Sequence, residues 1–180
     1  MSLLNHNRFE KREGLLRGIF NRILQQLALC MPGASTLRIW LHRARGVKIG
    51  KNVLIGYGTL IDSSSPELVS IGDDCFLGMR VTIIAHFKEA QGVHIEPEAF
   101  IGPGSMILPN VVIGRGAVVT AGSVVTRSVP PMTVVQGNPA APIAKCGVAF
   151  LADISLREFS LRLRPLAREA RATEKTGQNR

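Results

Sequence analysis

Residues 100–140 read FIGPGSMILPNVVIGRGAVVTAGSVVTRSVPPMTVVQGNPA, and an aliphatic side chain recurs there at every sixth place, Ile101, Ile107, Ile113, Val119 and Val125. The same step, once doubled, runs back through Ile95, Ile83, Leu77 and Ile71, and across a ten-residue gap to Ile61, Ile55 and Ile49. Ile fills nine of these twelve positions but only 15 of all 180 residues, so chance does not compete. Two residues before each stands a small or medium side chain, such as Val53, Thr59, Cys75, Ala99, Ser105 or Ala117. Directly after stand Gly50, Gly56, Asp62, Gly72, Gly78, Gly102 and Gly114.

A six-residue period suits neither a helix nor a long strand, but it suits a two-sided strand followed by a tight corner. Residues two apart share a strand face, so the aliphatic and the smaller residue before it both point inward. The glycine permits the chain to turn. Three sides make a triangular coil, and coils stacked about 4.8 Å apart bury one another's flat faces. The expected core is therefore all-β, a parallel β-helix over residues 46–145. Two stretches break the pattern: SSSPEL between Ile61 and Ile71, and IAHFKEAQG between Ile83 and Ile95, both read as loops leaving the coil.

The ends read differently. From Gly14 to Leu29, apolar residues (Leu15, Leu16, Ile19, Phe20, Ile23, Leu24, Leu27) recur at helical spacing opposite Arg17, Arg22, Gln25 and Gln26. Pro32 and Gly33 stop that helix, and Ser35 or Thr36 is placed to cap a second one running to Arg45 and stopped by Gly46. Residues 1–45 thus form an N-terminal helical segment, and residues 146–180 a basic C-terminal helical tail, with a helix from Ser155 to Ala172 interrupted at Pro165.

The net charge of +9 is segregated. Residues 1–45 hold eight Lys/Arg and two Glu, residues 46–144 six and seven, residues 145–180 eight and four. A neutral middle with few aromatics argues against a nucleic-acid binder. Three cysteines at wide spacing suggest neither a disulfide framework nor a zinc site, and a reducing, cytoplasmic setting is expected. Arg17 and Arg22 interrupt the apolar N-terminal stretch, which reads as neither signal peptide nor membrane span. Two readings of that helix stay open: its apolar face packs on the end of the coil, or it lies on an anionic membrane surface with the basic termini.

From Gly46 to about Lys145 the sequence resembles the hexapeptide-repeat acyltransferases, most closely over FIGPGS to QGNPA. That resemblance, not the periodicity, implies a left-handed coil, a homotrimer with sites between subunits, and acetyl-coenzyme A as co-substrate without a catalytic metal. It implies O-acetylation of a sugar-like acceptor, polysaccharide sugars being among the family's substrates; a lipid-linked sugar is the acceptor expected if the N-terminal helix lies on a membrane. The family's histidine base corresponds to His86 in VTIIAHF; a neutral imidazole is suited to take the proton of an attacking hydroxyl. Asp62 stands where the family has an acidic residue that binds the acceptor or orients the histidine. Ala121, Thr126 and Arg127 match coenzyme-binding positions, and Lys145 lies one place beyond the family's terminal basic residue. Pro103 occupies a position where relatives offer a backbone N–H to the thioester oxygen; proline has none, so Gly104 is taken as the substitute. His94 is a second candidate base, although strand alternation points it outward; His6 and His42 lie outside the repeat. Cys75 holds an inward position and reads as core. Two alternatives remain: an acyl carrier protein as donor, and a non-catalytic β-helix that only binds.

Overall fold

Alternation of inward aliphatics with outward residues over such short stretches leaves each strand only two or three residues long, and the chain turns after each. The computed structural model describes residues 14–86, 91–151 and 153–166. Its first turn consists of β1 (Lys48–Ile49), β2 (Leu54–Ile55) and β3 (Leu60–Ile61), and its second of β4 (Val69–Ile71), β5 (Phe76–Leu77) and β6 (Thr82–Ile83). The third has β7 (Val93–Ile95), β8 (Phe100–Ile101) and β9 (Met106–Ile107), the fourth β10 (Val111–Ile113), β11 (Val118–Val119) and β12 (Val124–Val125). Three parallel sheets result: β1-β4-β7-β10, β2-β5-β8-β11 and β3-β6-β9-β12. Register places each repeat residue over its equivalent, as Ile49 over Ile71 and Leu77 over Ile101. From Ile55 to Val125 every repeat residue is at most 3% exposed, so the aliphatics form one column.

Where glycine follows a repeat residue, at 50, 56, 72, 78, 102 and 114, space requires it. A Cβ at Gly56 would come within 2.5 Å of the Gly78 backbone, and one at Gly102 within 2.4 Å of the Ala121 nitrogen, because stacked corners touch there. The left-handed conformation that closes the corner falls two residues later, at Asn52, Gly58, Asp74, Arg80, Glu98, Gly104, Asn110, Gly116 and Gly122.

Within the column, the N–H after a repeat residue donates to the repeat carbonyl of the next turn, as Gly50 to Ile71 and Gly56 to Leu77. The carbonyls of Ile49, Ile55 and Ile61 therefore face an open edge. Arginines of the second helix and its end satisfy all three: Arg43 donates to Ile49 (2.9 Å), Arg38 to Ile55, and Arg45 to Ile61 (2.9 Å) and Asp62 (2.6 Å). Arg38 and Arg45 are buried, so these are interior caps of a sheet edge. They hold α1 (Leu15–Cys30) and α2 (Leu37–Ala44) over the first turn, with Gln25 of α1 accepting from Arg45 and donating to the Thr59 carbonyl. Both helices stand where the sequence predicts. Neither Ser35 nor Thr36 caps α2 as expected; Thr36 is the N-cap residue but its side chain makes no capping bond.

Packing of α1 on its apolar face is not what the structure shows. The buried face is Gly18, Asn21, Leu24, Gln25 and Ala28, while Leu15, Leu16, Ile19, Phe20, Ile23 and Leu27 are exposed. Polar bonds from Gln25 to the coil edge and from Arg38 to the Ala28 carbonyl decide the orientation. The C-terminal expectation also needs correction. After the fourth turn, β13 (Thr133–Gly137) joins β11, β14 (Ala140–Cys146) turns back antiparallel, α3 (Leu156–Leu161) ends well before Pro165, and β15 (Leu163–Pro165) pairs with β14. Pro165 thus sits at the end of a strand, and Phe159 and Phe150 pack with Phe100 against the outer face of the second sheet. The expected helix beyond Leu166 lies outside the described residues, as does the centre of the IAHFKEAQG loop.

Candidate functional site

Of the coil's three corners, the one leading from the third sheet back to the first is built differently. The position after the repeat residue is Asp62, Ile84, Leu108 and Thr126 in successive turns, never glycine. Both insertions leave the coil at this corner, the first as a short 3-10 turn at Pro66–Leu68. Asp62 and His86 come from adjacent turns here, and the His86 Nδ1–H donates to Asp62 Oδ2 at 2.5 Å.

The Asp62 carboxylate accepts five bonds. Oδ1 takes the N–H groups of Ser64 (2.8 Å) and Ser65 (2.9 Å), an Asp-initiated turn; Oδ2 takes those of Ala85 (2.6 Å) and His86 (2.9 Å) and the imidazole. Burial alone would push this carboxyl up, but the donors from Ser65, Ala85, the His86 ring and Ser64 outweigh it and hold it below the usual carboxylate value. It is therefore an anion at neutral pH, and an anion can only accept. That fixes a proton on His86 Nδ1, so the lone pair of the neutral imidazole is the one on Nε2, on a side chain 51% exposed beside a carboxylate with none.

The other histidines are accounted for. His94 points outward from β7, its Nδ1 2.7 Å from Ser70 Oγ and its Nε2 3.1 Å from the Gln91 carbonyl. His42 is buried, and burial with Arg45 and Arg38 beside it lowers its pKa to about 3, so it is neutral. His6 lies outside the described residues. Among the described residues no three His, Cys, Asp or Glu side chains gather to hold a metal. Cys75 is 1% exposed in the column, its thiol pushed up by burial to about 11, which suits a core residue.

The coenzyme positions divide between two corners. Gly104 and Ala121 are exposed on the corner after the second sheet; Thr126 and Arg127 are exposed on the corner that holds Asp62 and His86, about 10 Å up the column from Ile84. The Gly104 N–H is already committed to the Met79 carbonyl at 2.8 Å, which removes it as a free donor to the thioester oxygen. Lys145 lies on β14 with Nζ donating to Thr133 Oγ1 at 2.7 Å. The outer face of the third sheet carries Leu60, Thr82, Met106 and Val124, none of them buried.

The sequence reading did not single out Ser64, Ser65 or Ala85, whose N–H groups fix the carboxylate. The absence of glycine at every third corner was the signal that marked their place.

Comparison with known proteins decides the family. The pattern for "Bacterial transferase hexapeptide (six repeats)" matches residues 92–127, and that for "Hexapeptide repeat of succinyl-transferase" residues 68–109. YvoF of Bacillus subtilis (strain 168), named as a candidate acetyltransferase, is 35% identical over 131 residues, 69% of this chain and 75% of its own. The chain belongs to the hexapeptide-repeat acetyltransferase family. The serine acetyltransferase of Escherichia coli (strain K12) is also 35% identical over 131 residues, 71% of this chain, but the match spans only 46% of that enzyme. Among solved structures, the hexapeptide-repeat acetyltransferase VCA0836 of Vibrio cholerae has the same fold, with a TM-score of 0.58 at 21% identity over 72% of this chain and 90% of its own. That protein has also been solved with acetyl-coenzyme A.

Proposed function

We propose that this family member transfers acetyl from acetyl-coenzyme A to the hydroxyl of a sugar-like acceptor, with His86 as general base and Asp62 as its positioning residue. The carrying observation is the 2.5 Å bond from His86 Nδ1 to a carboxylate saturated by five donors. Full burial denies Asp62 contact with an acceptor, so orientation of His86 is the role its chemistry supports. His86 Nε2 takes the acceptor's O–H proton as the oxygen attacks the thioester carbonyl. The new C–O bond forms, the C–S bond breaks, and the proton returns from Nε2 to the departing thiolate.

Ala121 offers a small surface to the pantetheine arm, Thr126 a hydroxyl, and Arg127 and Lys145 cations for phosphate. Gly104 keeps only its lack of a side chain, which leaves room at the corner. The uncovered apolar third sheet supports assembly as a homotrimer with coenzyme between subunits. Three free cysteines fit a cytoplasmic enzyme. The test is release of coenzyme A from acetyl-coenzyme A in the presence of sugars, nucleotide sugars, lipid-linked sugars or amino alcohols. Release with a sugar class is expected. Release with serine alone would replace the acceptor, and transfer only from acyl carrier protein would replace the donor.

A further inference from the structure

The exposed face of α1 has no use in the chemistry above. It presents Leu16, Ile19, Phe20, Ile23 and Leu27 along a 16-residue helix, with Leu16 83% and Ile23 54% exposed, and neighbouring α2 exposes Trp40. The helix cannot roll to hide this stripe without breaking its seat. Gln25 is held by Arg45 and the Thr59 carbonyl, and the Ala28 carbonyl accepts from buried Arg38 (3.2 Å). Arg17, which reaches Glu67 at 3.5 Å in an exposed pair, and Arg22 are exposed on the two flanks of the stripe, and residues 14–45 contain five arginines and no acidic residue. At about 24 Å the helix is too short to cross a bilayer, and none of the described helices is long and apolar enough to do so.

We infer that α1, with Trp40, is a docking surface for an anionic membrane, lying flat with its apolar stripe among the acyl chains and its arginines at the headgroups. Charge decides between this occupant and a second copy of the helix. Pairing α1 with itself would bring arginines against arginines with no carboxylate in either helix, whereas phosphate headgroups complement them. Docking would hold the enzyme where acceptors borne by lipid are presented.

The test is flotation of the full chain with phosphatidylglycerol–phosphatidylcholine vesicles, against phosphatidylcholine alone, at low and high salt. Binding to the anionic vesicles only, weakened by salt, is expected. The double variant F20E/I23E, on an exposed face, should lose binding with its circular dichroism melt unchanged. R17Q/R22Q should weaken binding by roughly fivefold per arginine. Absence of binding to anionic vesicles at low salt would overturn the inference. So would equal binding by F20E/I23E, or a drop in sedimentation mass in that variant, which would make the stripe a contact between copies.

Discussion

At the scale of single residues, what makes His86 a base is the state of Asp62. A carboxyl whose pKa is depressed in the folded state keeps its stabilising contacts above its unfolded pKa and loses them as the pH falls through the folded value. The Asp62–His86 bond is therefore intact throughout the neutral range. Asp62→Asn removes the charge and sets an amide against backbone donors. We expect kcat to fall about 10- to 10³-fold with acetyl-coenzyme A affinity retained. Nitrogen NMR of His86 should show the Nδ1–H tautomer in the wild type and a mixture in the variant. Loss of the tautomer with unchanged kcat would remove Asp62 from the mechanism. The sequence singled out both residues; the structure shows an Asp-initiated turn and the histidine bond on one carboxylate.

Among the elements, the coil strands and the two N-terminal helices were legible, whereas the seat of α1 and the C-terminal strands were not. Each inward Ile repeats one local rule, so Ile55 to Val125 could be assigned without knowing the rest of the chain. The orientation of α1 depends instead on what the open end of the coil needs, which is donors for the Ile49, Ile55 and Ile61 carbonyls, and no periodicity in α1 encodes that. Reading Arg38, Arg43 and Arg45 as a basic stretch missed their use as caps. Arg45→Met would orphan the Ile61 and Asp62 carbonyls and leave the Gln25 oxygen only the 3.4 Å bond from the Ile61 N–H, and should cost about 3 kcal/mol or more in urea unfolding. His42 beside it adds an acid sensitivity. Its folded pKa of about 3 lies below its unfolded 6.5, so the unfolded chain binds more protons between those values and stability falls as the pH drops through that window. Between pH 7 and 5 this amounts to about 2 kcal/mol. Unfolding free energies measured at both pH values in the wild type and in His42→Gln should show a loss that the variant lacks; equal losses would contradict the burial of a neutral imidazole.

For the whole molecule, the three faces of the coil have different fates. The second sheet is covered by the chain's own C-terminal strand and helix, the first presents Lys48, Ser70 and His94, and the third leaves Leu60, Met106 and Val124 unburied. Assembly through the third face predicts that Met106→Glu lowers the sedimentation mass and the activity together; a wild-type monomer with full activity would contradict the trimer. The left hand of the coil was not legible from physical rules, because parallel crossovers are generally right-handed; it came with the family. The central claim is that a base held by a buried carboxylate drives acetyl transfer, and the most direct measurement is turnover of His86→Ala against the wild type, with acetyl-coenzyme A binding measured in parallel. A fall of about 10²- to 10⁴-fold in kcat at unchanged affinity is the predicted result, and near-normal turnover in His86→Ala would contradict it.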